Sequence, residues 1–109
     1  MKNEILLFEN QDVKLEVNMK DETVWLNAEQ MAKLFDRDSK TIRKHINNAL
    51  AEELNNSTVA KYATVQKEGN RDVTREIDYY DLDVIISVGY RVKSQNGVIF
   101  RKWATSILK

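Results

Sequence analysis

Between residues 39 and 54 the chain places Lys40, Arg43, Lys44, Asn47 and Asn48 at spacings that group them on the polar side of one helix, and Thr41 is expected among its contacts. Lys and Arg pair with phosphates or guanine edges, and an Asn amide can bond adenine through both of its groups. A helix that reads the major groove does so with its N-terminal residues, and the cationic cluster lies in that half. Glu52 and Glu53 come later, where they would point away from phosphates. A basic helix face that is only solvated is the alternative reading of the same residues. Two further groups of cations stand elsewhere. Lys67 and Arg71 flank a turn, with Glu68 and Asp72 beside them. Residues 91–109 hold Arg91, Lys93, Arg101, Lys102 and Lys109 with no acid among them.

Other chemistry finds little support. The single histidine, His45, lies inside the same helix and lacks the two or three companions that a metal site needs. It is also the only residue of the favoured type to activate a Ser or Thr nucleophile. Gly69, Gly89 and Gly97 form no phosphate-cradling loop. Solvation or helix capping accounts for the carboxylate pairs Glu52–Glu53 and Asp81–Asp83. The expectation is therefore a binding protein and not an enzyme, with no metal, no cofactor and no small-molecule substrate.

The bulk numbers agree with a small folded domain. With 109 residues, 31% charged and 42% hydrophobic, the chain is long enough for one modest core and is not of disordered composition. Seventeen basic residues balance seventeen acidic ones, so affinity for phosphate must come from local clustering. The acids gather in 4–29 and 68–83, away from the basic 91–109 segment. There is no cysteine, hence no disulfide or thiolate chemistry, and no apolar run of membrane-spanning length. A cytoplasmic protein with no membrane association is expected.

The elements that must position the cationic helix can be read in order. Residues 4–8 are a short apolar run, and 13–19 alternate strictly, with Val13, Leu15, Val17 and Met19 on one side. Turns at Asn10–Asp12 and Lys20–Glu22 join these to a third strand, Thr23–Leu26, whose Trp25 reads as a core anchor. Asn27 and Gln30 have capping-box spacing, and Leu26 and Met31 the spacing of a hydrophobic staple. Met31, Leu34 and Phe35 line one face of a first helix, with small Ala32 beside them. Asp36–Ser39 breaks the pattern, and Asp38 or Ser39 can cap the next helix, about Ser39 to Leu54. Ile42, Ile46, Ala49 and Leu50 form its apolar side. Two helices with so short a turn make a helix-turn-helix expectation, with Asp36 where that turn usually carries Gly.

After a break at Asn55–Ser57, segments 58–67 and 73–80 are strand-like around a turn at 68–72, in the position of a wing. Asp81 and Asp83 favour a helix start, followed by a stripe of Leu82, Ile85, Ile86 and Gly89 thickened by Val84 and Val88. Ser94–Gly97 is a break, and Phe100, Trp103, Ala104, Ile107 and Leu108 line a last helix. The fold expected is thus α+β: an N-terminal β-meander, a helix-turn-helix, a wing-like β-hairpin and two C-terminal helices. Residues 1–109 form one domain, expected to be the N-terminal part of a longer protein because the last helix stops at Lys109 without a cap.

The blocks VWLNAEQMAKLFDRDSKTIRKHI and DYYDLDVIISVGYRVKSQNGVIFRKWATSILK resemble the N-terminal region of the RhuM family, bacterial proteins labelled virulence proteins. The chain departs from the usual pattern of that family at Asp36–Arg37, where a Gly-hydrophobic pair is common. The closing block is also similar to phage antirepressor domains of the Bro-N type, which are regarded as DNA-binding. That resemblance implies a nucleic-acid surface including Arg91, Lys93, Arg101 and Lys102, with double-stranded DNA as partner. It leaves open a homodimer, a repressor protein as partner, or an accessory role to a downstream toxin-like enzyme. Exposure of Phe100 or Trp103 would favour a protein-interaction or oligomerisation module.

Overall fold

The computed structural model describes residues 4–11, 13–52 and 59–108, and the side chains of 62–66 lie outside that description. The readings that fell on Asp12, Glu53, Leu54, Asn55–Ser57 and Lys109 lie outside the described residues. The order of elements is β1 (Glu4–Asn10), β2 (Val13–Lys20), β3 (Thr23–Asn27), α1 (Ala28–Phe35), α2 (Ser39–Glu52), β4 (Val59–Glu68), β5 (Arg71–Asp81), α3 (Leu82–Arg91) and α4 (Gln95–Ile107). Among the described residues this is a mixed α/β arrangement of four helices and one antiparallel sheet.

The strands join in the order β1-β2-β3-β5-β4. The meander and the later hairpin are therefore not separate units: β5 lies against β3, with Leu26 opposite Tyr80 and Asn27 opposite Tyr79. The part of β5 before Tyr79 pairs with β4 but not with β3, so the distal hairpin continues past the shared strands. The hairpin turn is also tighter than the expected 68–72. Pairing continues to Glu68 opposite Arg71, leaving Gly69 and Asn70 as the whole loop. Gly69 has φ +64°, and glycine first in a two-residue loop suits the twist of the flanking strands. The β2–β3 turn is made without glycine, by Asp21 and Glu22 at φ +53° and +64°.

Alternation in β2 buries Leu15 and Val17 on the face that meets the helices, as its sequence requires. Against them pack Met31, Leu34 and Phe35 of α1, Ile42 and Ile46 of α2, Val84, Ile85 and Val88 of α3, and Phe100 and Ala104 of α4. Trp25 is buried as an anchor, and its indole Nε1 donates to the Lys20 carbonyl at 3.0 Å. Phe8 of β1 meets the rings of Phe100 and Trp103 at 5.2 and 5.3 Å between centroids, both edge-on. Phe100 is fully buried and Trp103 half-buried, so the apolar side of α4 is used within the domain. The exposure that would have favoured an oligomerisation helix through those two residues is absent.

Candidate nucleic-acid interface

The unit that presents α2 begins at α1. Asn27 caps α1 in a complete capping box: its side chain accepts from the Gln30 backbone N–H at 2.8 Å, and the Gln30 amide accepts from the Asn27 N–H at 2.9 Å. Leu26 and Met31 are both fully buried, as a staple demands. The helix ends in a left-handed residue, Asp36 at φ +54°, and the Arg37 N–H reaches back to the Ala32 carbonyl at 3.0 Å. That six-residue closure is the usual means of ending a helix sharply, but with Asp in place of Gly. Two residues later α2 begins.

Arg37 holds this corner. Its guanidinium donates to the carbonyls of Phe35 and Asp36 at 3.1 and 3.0 Å, and to Val92 at the end of α3 at 3.0 Å. One cation thus satisfies carbonyls at two helix C-termini, where the helix dipoles favour positive charge. Asn96 of α4 adds a second tie, donating to the Leu34 carbonyl at 2.9 Å and accepting from Asn10 at 3.2 Å. Neither tie was readable from the sequence, because the Val92 carbonyl lies 55 residues from Arg37 and the Leu34 carbonyl 62 from Asn96.

Asp38, not Ser39, caps α2. Its carboxylate accepts from the Thr41 N–H at 2.7 Å and from the Thr41 hydroxyl at 3.1 Å. The Thr41 backbone bond, followed by the hydroxyl, holds the Asp38 carboxyl below its ordinary range. Thr41 therefore spends its hydroxyl on the cap and is half-buried, which removes it from the expected contacts as a free donor.

Ile42, Ile46 and Ala49 turn into the core, and Lys40, Lys44, Asn47 and Asn48 are exposed together on the outer side. Among the described residues, no hydrogen bond or ion pair engages the side chains of Lys44, Asn47 or Asn48. Arg43 is different. It forms a 2.6 Å ion pair with Glu29 in the first turn of α1, both side chains remaining more than half exposed. An exposed pair of this kind is weak and screened by salt, so Arg43 is engaged but not sequestered. His45 is half-buried within the helix.

The other expected contacts do not join this face as one set. Arg91 bonds Glu52 of α2 at 2.9 Å and is largely buried, so it ties α3 to α2. Lys93 and Arg101 stand on the rim of a groove between α3 and α4, about 770 Å³ in volume, lined also by Ile86, Tyr90 and Val98. Lys102 is exposed on α4. On the hairpin, Arg71 and Lys67 are exposed and stand opposite Glu68 and Asp72 in the strand register. Further back along the same hairpin, Lys61 bonds Asp78 at 2.9 Å and Arg75 bonds Glu68. The hairpin is thus a lattice of mixed charge, and Arg71 its foremost cation.

No curated protein and no solved structure matches the chain. Residues 57–109, which run from the hairpin through α3 and α4 and leave α1 and α2 outside, match the family model described as Virulence protein RhuM family.

Proposed function

We propose that this chain is a DNA-binding domain of a RhuM-like, antirepressor-like protein, with α2 as the helix that enters the major groove. The observation that carries this is the outer side of α2: Lys40, Lys44, Asn47 and Asn48 exposed on a helix whose start is capped and whose approach is set by a three-residue corner. The two lysines meet phosphates, and Asn47 and Asn48 reach base edges. Arg43 joins when its pair with Glu29 opens, and Arg71 at the hairpin tip reaches the flanking backbone. The resemblance of the closing block to phage antirepressor domains supports a DNA-binding role, and no step of it requires catalysis.

The test is a binding isotherm on random duplex pools at two salt concentrations. Lys40→Ala with Lys44→Ala should weaken binding across sequences and lower the slope of log affinity against log salt by about 1.8, roughly 0.9 for each lost phosphate contact. Asn47→Ala should leave that slope alone and relax sequence preference. Unchanged affinity and slope in the double lysine variant would rule out this placement of the helix.

A second reading is favoured by the α3–α4 groove. Tyr90 is 84% exposed and Val98 46% exposed beside Lys93 and Arg101, with no acid in the lining. An apolar floor with a cationic rim suits an acidic amphipathic segment of a partner protein better than it suits a phosphate backbone. Reversal of both charges, Lys93→Glu with Arg101→Glu, separates the two uses. Retained duplex affinity assigns these cations to the groove, and its loss assigns them to the DNA surface.

A further inference from the structure

We propose that the free edge of β1 is a pairing surface for β1 of a second copy of this chain, giving a dimer with one continuous sheet. Among the described residues the sheet has two edges, and they differ. The β4 edge carries exposed charge at Lys61 and, towards the hairpin tip, at Lys67 and Glu68, which protects a strand with open hydrogen-bonding groups. The β1 edge carries its acids only towards its ends, at Glu4 and Glu9, and between them exposes Ile5 at 67% and Leu7 at 56%. Both point away from the helices, since Phe8 on the alternate side is buried. Every second residue of β1 also turns its backbone N–H and C=O away from β2, and among the described residues no strand lies beyond to meet them.

A second copy supplies what this edge lacks. Antiparallel pairing about a two-fold axis at Leu6 sets Ile5 opposite Leu7 of the other copy, and Leu7 opposite Ile5, closing four aliphatic side chains into one patch. The same register sets Glu4 opposite Phe8, so the two acids of one copy do not face those of the other. Glu9 is in addition already paired with Lys14 at 3.6 Å. A single strand pair buries less than a standard interface, so the dimer is weak and forms at high protein concentration. The interface stands on the sheet alone, but where the duplex reading holds it supplies the second α2 that a two-half-site target requires.

Sedimentation velocity over a concentration series, without DNA, tests this. The wild-type chain should pass from monomer to dimer. Ile5→Lys with Leu7→Lys should raise the dissociation constant at least about tenfold, a change of about 1.4 kcal/mol, with circular dichroism and melting unchanged because both positions are already exposed. Should the lysine pair disturb folding, Ile5→Thr with Leu7→Thr keeps strand propensity and should weaken the dimer in the same direction. Val98→Glu in the α3–α4 groove should leave the association untouched. A wild-type chain that remains monomeric throughout overturns the proposal. So does a dimer that survives both β1 variants, or one that only Val98→Glu dissolves. Failure of duplex binding would leave these results unchanged, and the converse also holds.

Discussion

Two residues that look like ordinary surface polars decide the geometry of the corner before α2. Arg37 serves three carbonyls from two helices through the fixed fork of its planar guanidinium. Arg37→Ala should cost about 1–2 kcal/mol in urea unfolding, and Arg37→Lys should recover little of it. A loss below about 0.5 kcal/mol would show that the clamp contributes nothing. Asp38 makes a prediction about acid. Its pKa is lowered on folding, so its contribution is present above the ordinary 3.8 and is lost as pH falls through the folded value. Asp38→Asn keeps a capping acceptor but should flatten that acid limb of the stability curve. Asp81, the α3 cap, behaves oppositely: burial raises its pKa, so its contribution is present below 3.8 and lost as pH rises through the folded value. An unaltered acid limb in Asp38→Asn would show that the Thr41 bonds do not couple to protonation. That Asp38 or Ser39 would cap was legible in the sequence, because capping is local in the chain. Arg37 was not, since its third acceptor belongs to a helix beyond the hairpin.

At the scale of elements, α3 and α4 cross where two glycines meet. A Cβ on Gly89 would lie 3.2 Å from the Phe35 ring and 3.4 Å from the Gly97 Cα, whereas one on Gly97 meets nothing closer than 3.4 Å. Alanine is the better helix former by about 1 kcal/mol. Yet Phe35 is fully buried and has little room to shift, so Gly89→Ala should be net destabilising by about 1–2 kcal/mol. Gly97→Ala should stay within about 0.5 kcal/mol. A Gly89→Ala protein as stable as wild type would mean that the Phe35 ring gives way at no cost. The sequence marked Gly89 only as one member of an apolar stripe. Periodicity identifies which side of a helix is buried, but not how near the neighbouring backbone comes. The hairpin shows the same limit. Its strands and turn chemistry were visible, but the pairing of β5 with β3 was not, because the partners lie far apart in the chain.

For the whole molecule, a net charge of zero conceals a division of labour among the cations. Arg91 joins α3 to α2, Arg37 clamps the corner, and Lys61 and Arg75 bind acids across the hairpin. Lys40 and Lys44 remain outward on α2, and Glu29 restrains Arg43 beside them. Glu29→Gln should therefore tighten duplex binding and steepen its salt slope by up to about 0.9, as one more cation becomes available to phosphate. An unchanged slope would keep Arg43 out of the interface. Strand alternation, helix periodicity and caps determined from the sequence alone which elements form and which side of each is buried, because those signals act over a few residues. The joining of meander and hairpin into one sheet and the pairing of Arg37, Arg43, Lys61, Arg75 and Arg91 with carbonyls or acids were decided only in the tertiary structure. The division of the C-terminal basic residues between an α2 tie and the rim of a groove was decided there too. Those outcomes depend on which distant groups come within a few ångströms, and no local pattern encodes that distance.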